Sequence, residues 1–534
     1  RVVAIDSWLS FYINGQLIGS TGDYTLQKDD KGQTTVIKEG YLGLLNWNSE
    51  VVFQNTYYTP ITDDLNPELE DVAVTPDQGG AEKKGQFLAN APINIQYVDN
   101  ATTSVKLAIK SKNSQAQFKI SDSTDKEYQL TDSIPLAVGA NYLTVTSTVT
   151  TEANQASLTY RINVHRRQAN EVYYNELFRD QYHYSVKDGW GNDPNGLVYY
   201  KGKYHLFYQF YDDNVWGPMH WAHATSTDLL HWEEQPIALY PDSNGTMFSG
   251  CIVVDEHNSS GFFKDGEGGL VALVTADGNG QRIKLAYSSD EGQTWTKVDQ
   301  VAADWSNDPL QSKDFRDPKV FHWNNKWFMV LAGGPLRIYS SDNLRDWSVE
   351  STYPDIQTEC PDLYPIQTDD GSIKWVLSRG GRYYKVGDFK QVDGKWTFSP
   401  DQAYQNSDGI MNFGKDSYAA MTYYVQDFGT EANPTIPKLT ELNWMNTWDY
   451  CNLVGKTVDQ DFNGTYNLNL QLGLTKENDR YVLTQTPIKA YESLRDTAKA
   501  INYQDVTVSA NNDLLKDVKS DSYEIVSTFR PSAT

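Results

Sequence analysis

The feature that most constrains this chain is a unit that returns between Tyr174 and Ile488. Short alternating runs rich in Tyr, Trp and Val are broken every few residues by Gly, Asn, Asp or Pro. A period of two with turn residues between the runs predicts antiparallel strands joined by hairpins. Within this region a hydroxyl residue, an aspartate and a following tryptophan recur as TSTDLLHWEE, YSSDEGQTWTKV and YSSDNLRDWSVE, marked by Asp228, Asp290 and Asp342. GDFKQVDGKWTF is a looser fourth copy. Repeats of roughly 50 to 60 residues, each with several short strands, predict a β-propeller, and residues 174–488 have room for five blades.

The flanks are also β in pattern. Residues 1–62 hold a hairpin with an Asn14-Gly15 turn and further strands such as YLGLLNWNSEVVFQNTYYTP. They are expected to form part of a β-sandwich similar to concanavalin or laminin-G modules. A polar stretch from Asp63 to Gln86 reads as a linker. Residues 84–167 alternate in short strands at a size suited to a small immunoglobulin-like or cadherin-like sandwich. Residues 489–534 start another strand pattern, expected to be the incomplete beginning of a C-terminal β-sandwich. The expected fold class is all-β: a five-bladed propeller behind two sandwich-type modules and ahead of the start of a third.

A formal net charge of -25 and a pI near 4.7 repel nucleic acid and anionic membranes. No apolar run is long enough for a membrane-spanning helix. The composition suits a neutral substrate, and rings as numerous as 35 Tyr and 15 Trp can stack on sugar C–H faces as well as fill sheets. The chain opens at RVVAIDSW with neither Met nor a charged-then-apolar leader, which reads as a processed or excised piece. Cys251, Cys360 and Cys451 lie far apart without CxxC spacing, which excludes a disulfide scaffold and a Cys-type zinc site. They read as small buried hydrophobes. Without a ligand cluster of His or Cys, neither a metal nor another cofactor is expected.

The chemistry is concentrated in seven short motifs. WGNDPNG occupies Trp190–Gly196 and on its own reads as a turn, because Asn, Asp, Pro and Gly each favour turns for local reasons. A near copy, WSNDP, occupies Trp305–Pro309. Only the first is followed in order by FYQF (Phe207–Phe210), WGPMHWAHA (Trp216–Ala224), MFSGC (Met247–Cys251), FRDPK (Phe315–Lys319), TECPDLYP (Thr358–Pro365) and NWMNTW (Asn443–Trp448). This series resembles glycoside hydrolase family 32, the invertases, inulinases and levanases. The sequence departs from the family pattern at Ala222, where Gly is usual, and at Cys251, where a small polar residue is usual. Neither departure removes a reactive group.

The resemblance implies a retaining β-fructosidase. Asp193 would be the nucleophile, Glu359 the general acid/base about 5 Å away, and Asp317 the group that grips ring hydroxyls as positive charge develops. Asn192, Gln209, Trp216, Phe248 and Ser249 match positions that hold the terminal fructose, and Arg316 is the cation that lets three acids share a pocket. Glu359 is expected to have a raised pKa through burial and its acidic neighbours. Asp308, in the near copy, is expected to be a turn residue that faces solvent or caps its own backbone. Two accessory modules favour polymeric fructan over sucrose alone. The expected setting is a secreted monomer attached to the cell wall through regions outside this chain. Three other readings use similar features: an inverting arabinanase, which would lack the joint motif set; a fructosyltransferase with the same residues; and a fructan-binding adhesin, which a lost acid would signal.

Overall fold

The computed structural model describes residues 62–531, apart from 79–82, 85–86, 88, 90–93, 170–172, 175, 213, 243, 265, 279, 452–461, 510–511 and 521, together with five strands between residues 2 and 36. In the first module Trp8–Ile13 pairs antiparallel with Gln16–Gly22, Ile13 opposite Gln16, so two residues connect them as a hairpin requires. The run expected to add strands from Tyr41 to Pro60 lies outside the described residues.

The second module is a two-sheet sandwich. One sheet contains Leu69–Gln78, Ser104–Ser111 and Ile134–Pro135; the other is built mainly on the long hairpin Gly139–Thr150 and Gln155–Arg166. The alternation of the sequence decides which face is buried: Leu143, Val145 and Val149 point into the core shared with Tyr160, Ile162 and Val164. The stretch read as a polar linker supplies the strand Leu69–Gln78, because Leu69, Val72 and Val74 alternate inward while the acids between them point out. The sandwich therefore begins ahead of residue 84. The strand Asn94–Val98, paired parallel with the last strand, is pinned to the next domain: the Tyr97 hydroxyl donates to the Asp212 carbonyl at 2.8 Å, and Arg167 lies over the Tyr97 ring, 3.6 Å from the Asp188 carboxylate.

Five sheets follow, each built on four antiparallel strands; Phe462–Asn463 adds a parallel fifth strand to the first, and Gly409–Ile410 a short antiparallel one to the fourth. The inner strands are Gly189–Tyr200 in blade I, Thr246–Asp255 in blade II, Arg316–Trp323 in blade III, Pro361–Gln367 in blade IV and Tyr418–Thr422 in blade V. They stand side by side around the axis, so residues such as Gly189–Val198 are buried on both faces. The ring closes through backbone bonds between blades V and I: Tyr199 N–H donates to the Tyr424 carbonyl and Tyr424 N–H to that of Leu197, both at 2.8 Å. Aromatic rings fill the gaps between blades. Phe321 and Phe328 of blade III meet Trp375, Phe389 and Trp396 of blade IV at centroid distances of 5.1 to 5.7 Å.

The three clear copies of the hydroxyl–acid–tryptophan unit fall at the outer hairpins of blades I, II and III. Asp228 accepts the N–H groups of Leu230 and His231, and Asp290 that of Thr294. In the third copy the same capping is done by Asn343, which accepts from Arg345 and Asp346, while Asp342 pairs with Lys326. The structural register is thus Ser226, Ser288, Ser341 followed two positions later by the cap. Beyond blade V, the described residues from 489 onward hold two 3-10 turns and no strand, and Val508, Tyr523, Ile525, Val526 and Phe529 of the alternating pattern are exposed.

Two neighbouring strands of blade I bury His205 and His223 side by side, 3.0 Å between ring nitrogens, with His223 stacked on Phe207 at 4.0 Å. Burial lowers His205 to about 4 and His223 further. The folded state refuses protons that the unfolded chain takes up below pH 6.5, so this contribution is complete above that pH and is lost as pH falls toward 4. For His205 alone the shift corresponds to about 3 kcal/mol. Urea unfolding from pH 7 to 4.5 should therefore show a flatter pH slope for a His205→Asn, His223→Phe double variant than for the parent; parallel slopes would remove the claim.

Candidate active site

The same end of every inner strand is irregular. Register shifts fall between Gly191 and Pro194, Met247 and Gly250, Arg316 and Lys319, and Tyr418 and Met421. In blade IV, Cys360 (φ +43°) immediately precedes the strand. A bulge bends the strand and re-aims a side chain. Here the four bulges, with the turn at Cys360 in blade IV, bring Asp193, Ser249, Asp317, the Glu359-Cys360 pair and Tyr418 toward one axial mouth. Asp317 (φ +61°) and Ala419 (φ +56°) lie in the left-handed region, a strained conformation for residues with a side chain and one that clusters at functional sites.

Asp193 sits on the pocket floor. Asn192 Nδ2 donates to Oδ1 at 3.0 Å; Ser249 Oγ at 2.6 Å, Gln209 Nε2 at 3.3 Å and Cys360 Sγ at 3.3 Å donate to Oδ2. Asn192 is itself oriented by Trp190 Nε1 at 2.7 Å. Asp317 Oδ2 accepts from Cys360 N at 2.9 Å and lies 3.6 Å from Cys360 Sγ. Arg316 Nη2 donates to Glu359 Oε1 at 2.6 Å while its Nε lies 3.8 Å from Asp317. The Tyr418 hydroxyl donates to the other Glu359 oxygen. Trp216 and Phe248 form an edge-to-face pair, 6.1 Å between centroids, next to Ser249. All nine residues singled out in the sequence are thus placed, the three acids and five of their six companions in one network, with Trp216 joined through Phe248.

The proton distribution differs from the expectation. Burial pushes Asp317 up to about 7, against the pull of Arg316 and with a push from Asp193. Burial also raises Asp193, offset in part by the Ser249 hydrogen bond. Glu359, expected to be raised, is lowered: it is half-buried, and the hydrogen bond from Tyr418 and the charge of Arg316 outweigh its desolvation. These shifts favour a proton on the enclosed acids rather than on Glu359.

Two contributors were missed by sequence reading. Tyr418 opens the inner strand of blade V in a stretch without a motif, and only the ring of blades brings it to Glu359. Cys360 was read as a buried hydrophobe; it is buried, but its thiol bridges Asp193 and Asp317. Beneath this layer Lys319 reaches across the axis, donating to the Thr422 carbonyl and lying 3.4 Å from Asp362, which accepts the Thr422 N–H and hydroxyl at 2.8 Å each.

Asp308 stays outside the cluster, as expected, and caps Leu310 N–H at 3.1 Å. It does not face solvent. Its side chain is fully buried against Arg337, whose Nε donates at 3.1 Å, and accepts from the Tyr339 hydroxyl at 2.7 Å. Arg337 in turn donates to the Asp314 carbonyl, so the pair anchors the loop that delivers Arg316.

A nucleophile-type carboxylate on the floor, a second carboxylate at the lip and a third between them define a glycosidase-type pocket at the mouth of a five-bladed propeller. The sequence profile described as the glycosyl hydrolases family 32 N-terminal domain matches residues 183–487, and the chain belongs to that family. A cadherin-like beta sandwich profile matches residues 91–167. The chain is 68% identical over 533 residues to a fructan beta-fructosidase of Streptococcus mutans, covering 99% of this chain and 38% of that protein. It is 37% identical to a levanase of Bacillus subtilis, covering 68% of this chain and 54% of the relative. The chain thus spans about two fifths and about half of these relatives. Among solved structures, exo-inulinase from Aspergillus awamori superimposes with a TM-score of 0.53 at 33% identity, over 60% of this chain and 69% of that one.

Two outcomes follow from these contacts. Asp308→Asn leaves the Arg337 charge buried without its counter-ion and should destabilise the fold by about 3 kcal/mol in urea unfolding, rather than the sub-kilocalorie change of a surface turn. A change below 1 kcal/mol would contradict the burial. Tyr418→Phe removes a donor that favours the charged form of Glu359, so the Glu359 pKa rises and the basic limb of the kcat/KM–pH profile moves to higher pH. A shift to lower pH would exclude this coupling.

Proposed function

We propose that this chain carries the catalytic machinery of a retaining β-fructosidase that releases fructose from fructan. The observation that supports it best is the convergence on Cys360: the floor carboxylate Asp193 and the third acid Asp317 both contact the residue next to Glu359. In this reading Asp193 attacks the anomeric carbon of the terminal fructose while Glu359 gives its proton to the departing glycosidic oxygen. A fructosyl ester on Asp193 results. Glu359 then removes a proton from water, which attacks the same carbon and frees Asp193. Asp317 holds ring hydroxyls, and its bonds strengthen as the ring gains positive charge. Substrate entry covers the exposed side of Glu359, and that desolvation raises its pKa toward the range an acid needs.

Asn192, Gln209 and Ser249 orient Asp193 and offer hydrogen bonds to sugar hydroxyls, with Trp216 and Phe248 as the apolar wall. The names of the relatives, a fructan beta-fructosidase and a levanase, support a fructan polymer as substrate. A polymer of that size does not cross a membrane, which supports action outside the cell.

The test is stereochemical and mutational. With methanol as acceptor, the released fructoside should keep the β configuration; an α product would mean inversion and sink the mechanism. Asp193→Asn should cost at least about 10⁴-fold in kcat with the fold intact. Glu359→Gln should lose least on substrates with good leaving groups, and equal losses on good and poor leaving groups would contradict its role.

A further inference from the structure

Arg316 is the cation that two of the acids share, and the hold on its head comes from blade II. The strands Gly269–Asp277 and Gln281–Ser288 form a hairpin with Asp277 opposite Gln281. Gln281 is 9% exposed, and its Oε1 accepts from Phe315 N at 2.9 Å and from Arg316 Nη1 at 3.1 Å. Its amide nitrogen donates to the Asp277 carboxylate. One buried amide thus holds both the backbone just ahead of Arg316 and one arm of its guanidinium. The directions of the other arms follow, because the fork is planar and rigid. Nη2 meets Glu359 at 2.6 Å and Nε lies 3.8 Å from Asp317.

The second partner of Nη1 is a weaker support. Asp314 accepts at 3.1 Å, but its side chain is 66% exposed, and an exposed ion pair contributes little. The Arg316 stem is confined by Gly333, where an added Cβ would lie 2.5 Å from Cγ. The hairpin that carries Gln281 is itself seated, since a Cβ at Gly280 would collide with Trp305 Nε1. Trp305 opens the WSNDP copy, and Asp308 of the same copy anchors the following loop through Arg337. The near copy therefore supports Arg316 from two sides, with Trp305 under the hairpin and Asp308 under the loop.

We propose that Gln281 is a positioning residue that fixes the Arg316 fork, so that one guanidinium serves Glu359 and Asp317 together. The inference rests on the β-fructosidase reading for the roles of those two acids. The charged groups facing Arg316 are Asp314, Asp317 and Glu359, with Asp277 behind Gln281. Those facing Glu359 are Arg316 and Tyr418, with Asp193 nearby. Loosening Arg316 leaves Glu359 with less to favour its charged form, so its pKa rises and the basic limb of the kcat/KM–pH profile moves to higher pH.

Three variants test this. Gln281→Met keeps the length and removes the acceptor; Gln281→Asn, one methylene shorter and still polar, takes its place if that protein does not fold. Gln281→Glu combined with Asp277→Asn exchanges amide and carboxylate at constant charge, and keeps an acceptor for Phe315 and Arg316. Each is read by its crystal structure and by hydrolysis of inulin-type and levan-type oligomers across pH. In the Met or Asn variant, Arg316 Nη2 should move beyond hydrogen-bond distance of Glu359. There kcat should fall about tenfold with KM within about twofold, and the basic limb should rise by about half a pH unit. The exchanged pair should return Arg316 to its place and kcat to within about threefold of the parent. An unmoved Arg316, an unchanged basic limb, or an exchanged pair no better than Gln281→Met would overturn the role. Parent protein that releases no fructose would sink the hydrolase reading, and the position of Arg316 in the variant crystals would still decide for or against Gln281.

Discussion

Everything at the propeller mouth depends on holding three carboxylates together out of water. Like charges in a poorly solvated site repel strongly, and the arrangement persists only if a cation, hydrogen-bond donors and protons offset that repulsion. Arg316 serves two of the acids at once, at 2.6 Å from Glu359 and 3.8 Å from Asp317. Four donors serve Asp193. What they leave uncompensated is taken up by protonation, with Asp317 pushed to about 7.

The five blades make this possible mechanically. Each inner strand is regular below and irregular at the mouth, so the same positions that break the ladder present the functional groups. Lys319 lies only two residues beyond Asp317, Asp362 three beyond Glu359 and Thr422 four beyond Tyr418. Their mutual contacts join blades III, IV and V directly under the reacting groups. A second buried acid in this layer, Glu441, faces Thr422 across the strand pair, and burial pushes it up to about 8. The layer is rigid because its charges have fixed partners, and that rigidity is what an acid pair at defined spacing requires.

The electrostatic asymmetry also orients the site. Asp193 and Asp317 are enclosed, while Glu359 is open toward a pocket on blade IV, so burial raises the first two and leaves Glu359 to the stronger pull of Tyr418 and Arg316.

The sequence by itself determined the all-β class and the blade count, and it singled out three acids that the fold brings together, because strand periodicity, repeat length and short motifs are local and survive in one dimension. It also separated Asp193 from its near copy Asp308 by motif order. It misjudged Asp308's surroundings, since nothing near WSNDP announces Arg337 and Tyr339 arriving from another strand of the same blade. It gave Glu359 the wrong direction of shift for the same reason: Tyr418 reaches it from the next blade, 59 positions along the chain. The Cys360 bridge likewise exists only when separate blades meet. Residue type and spacing are written in the chain, but the dielectric, the partner and the direction a side chain faces are set by what the closed ring brings beside it.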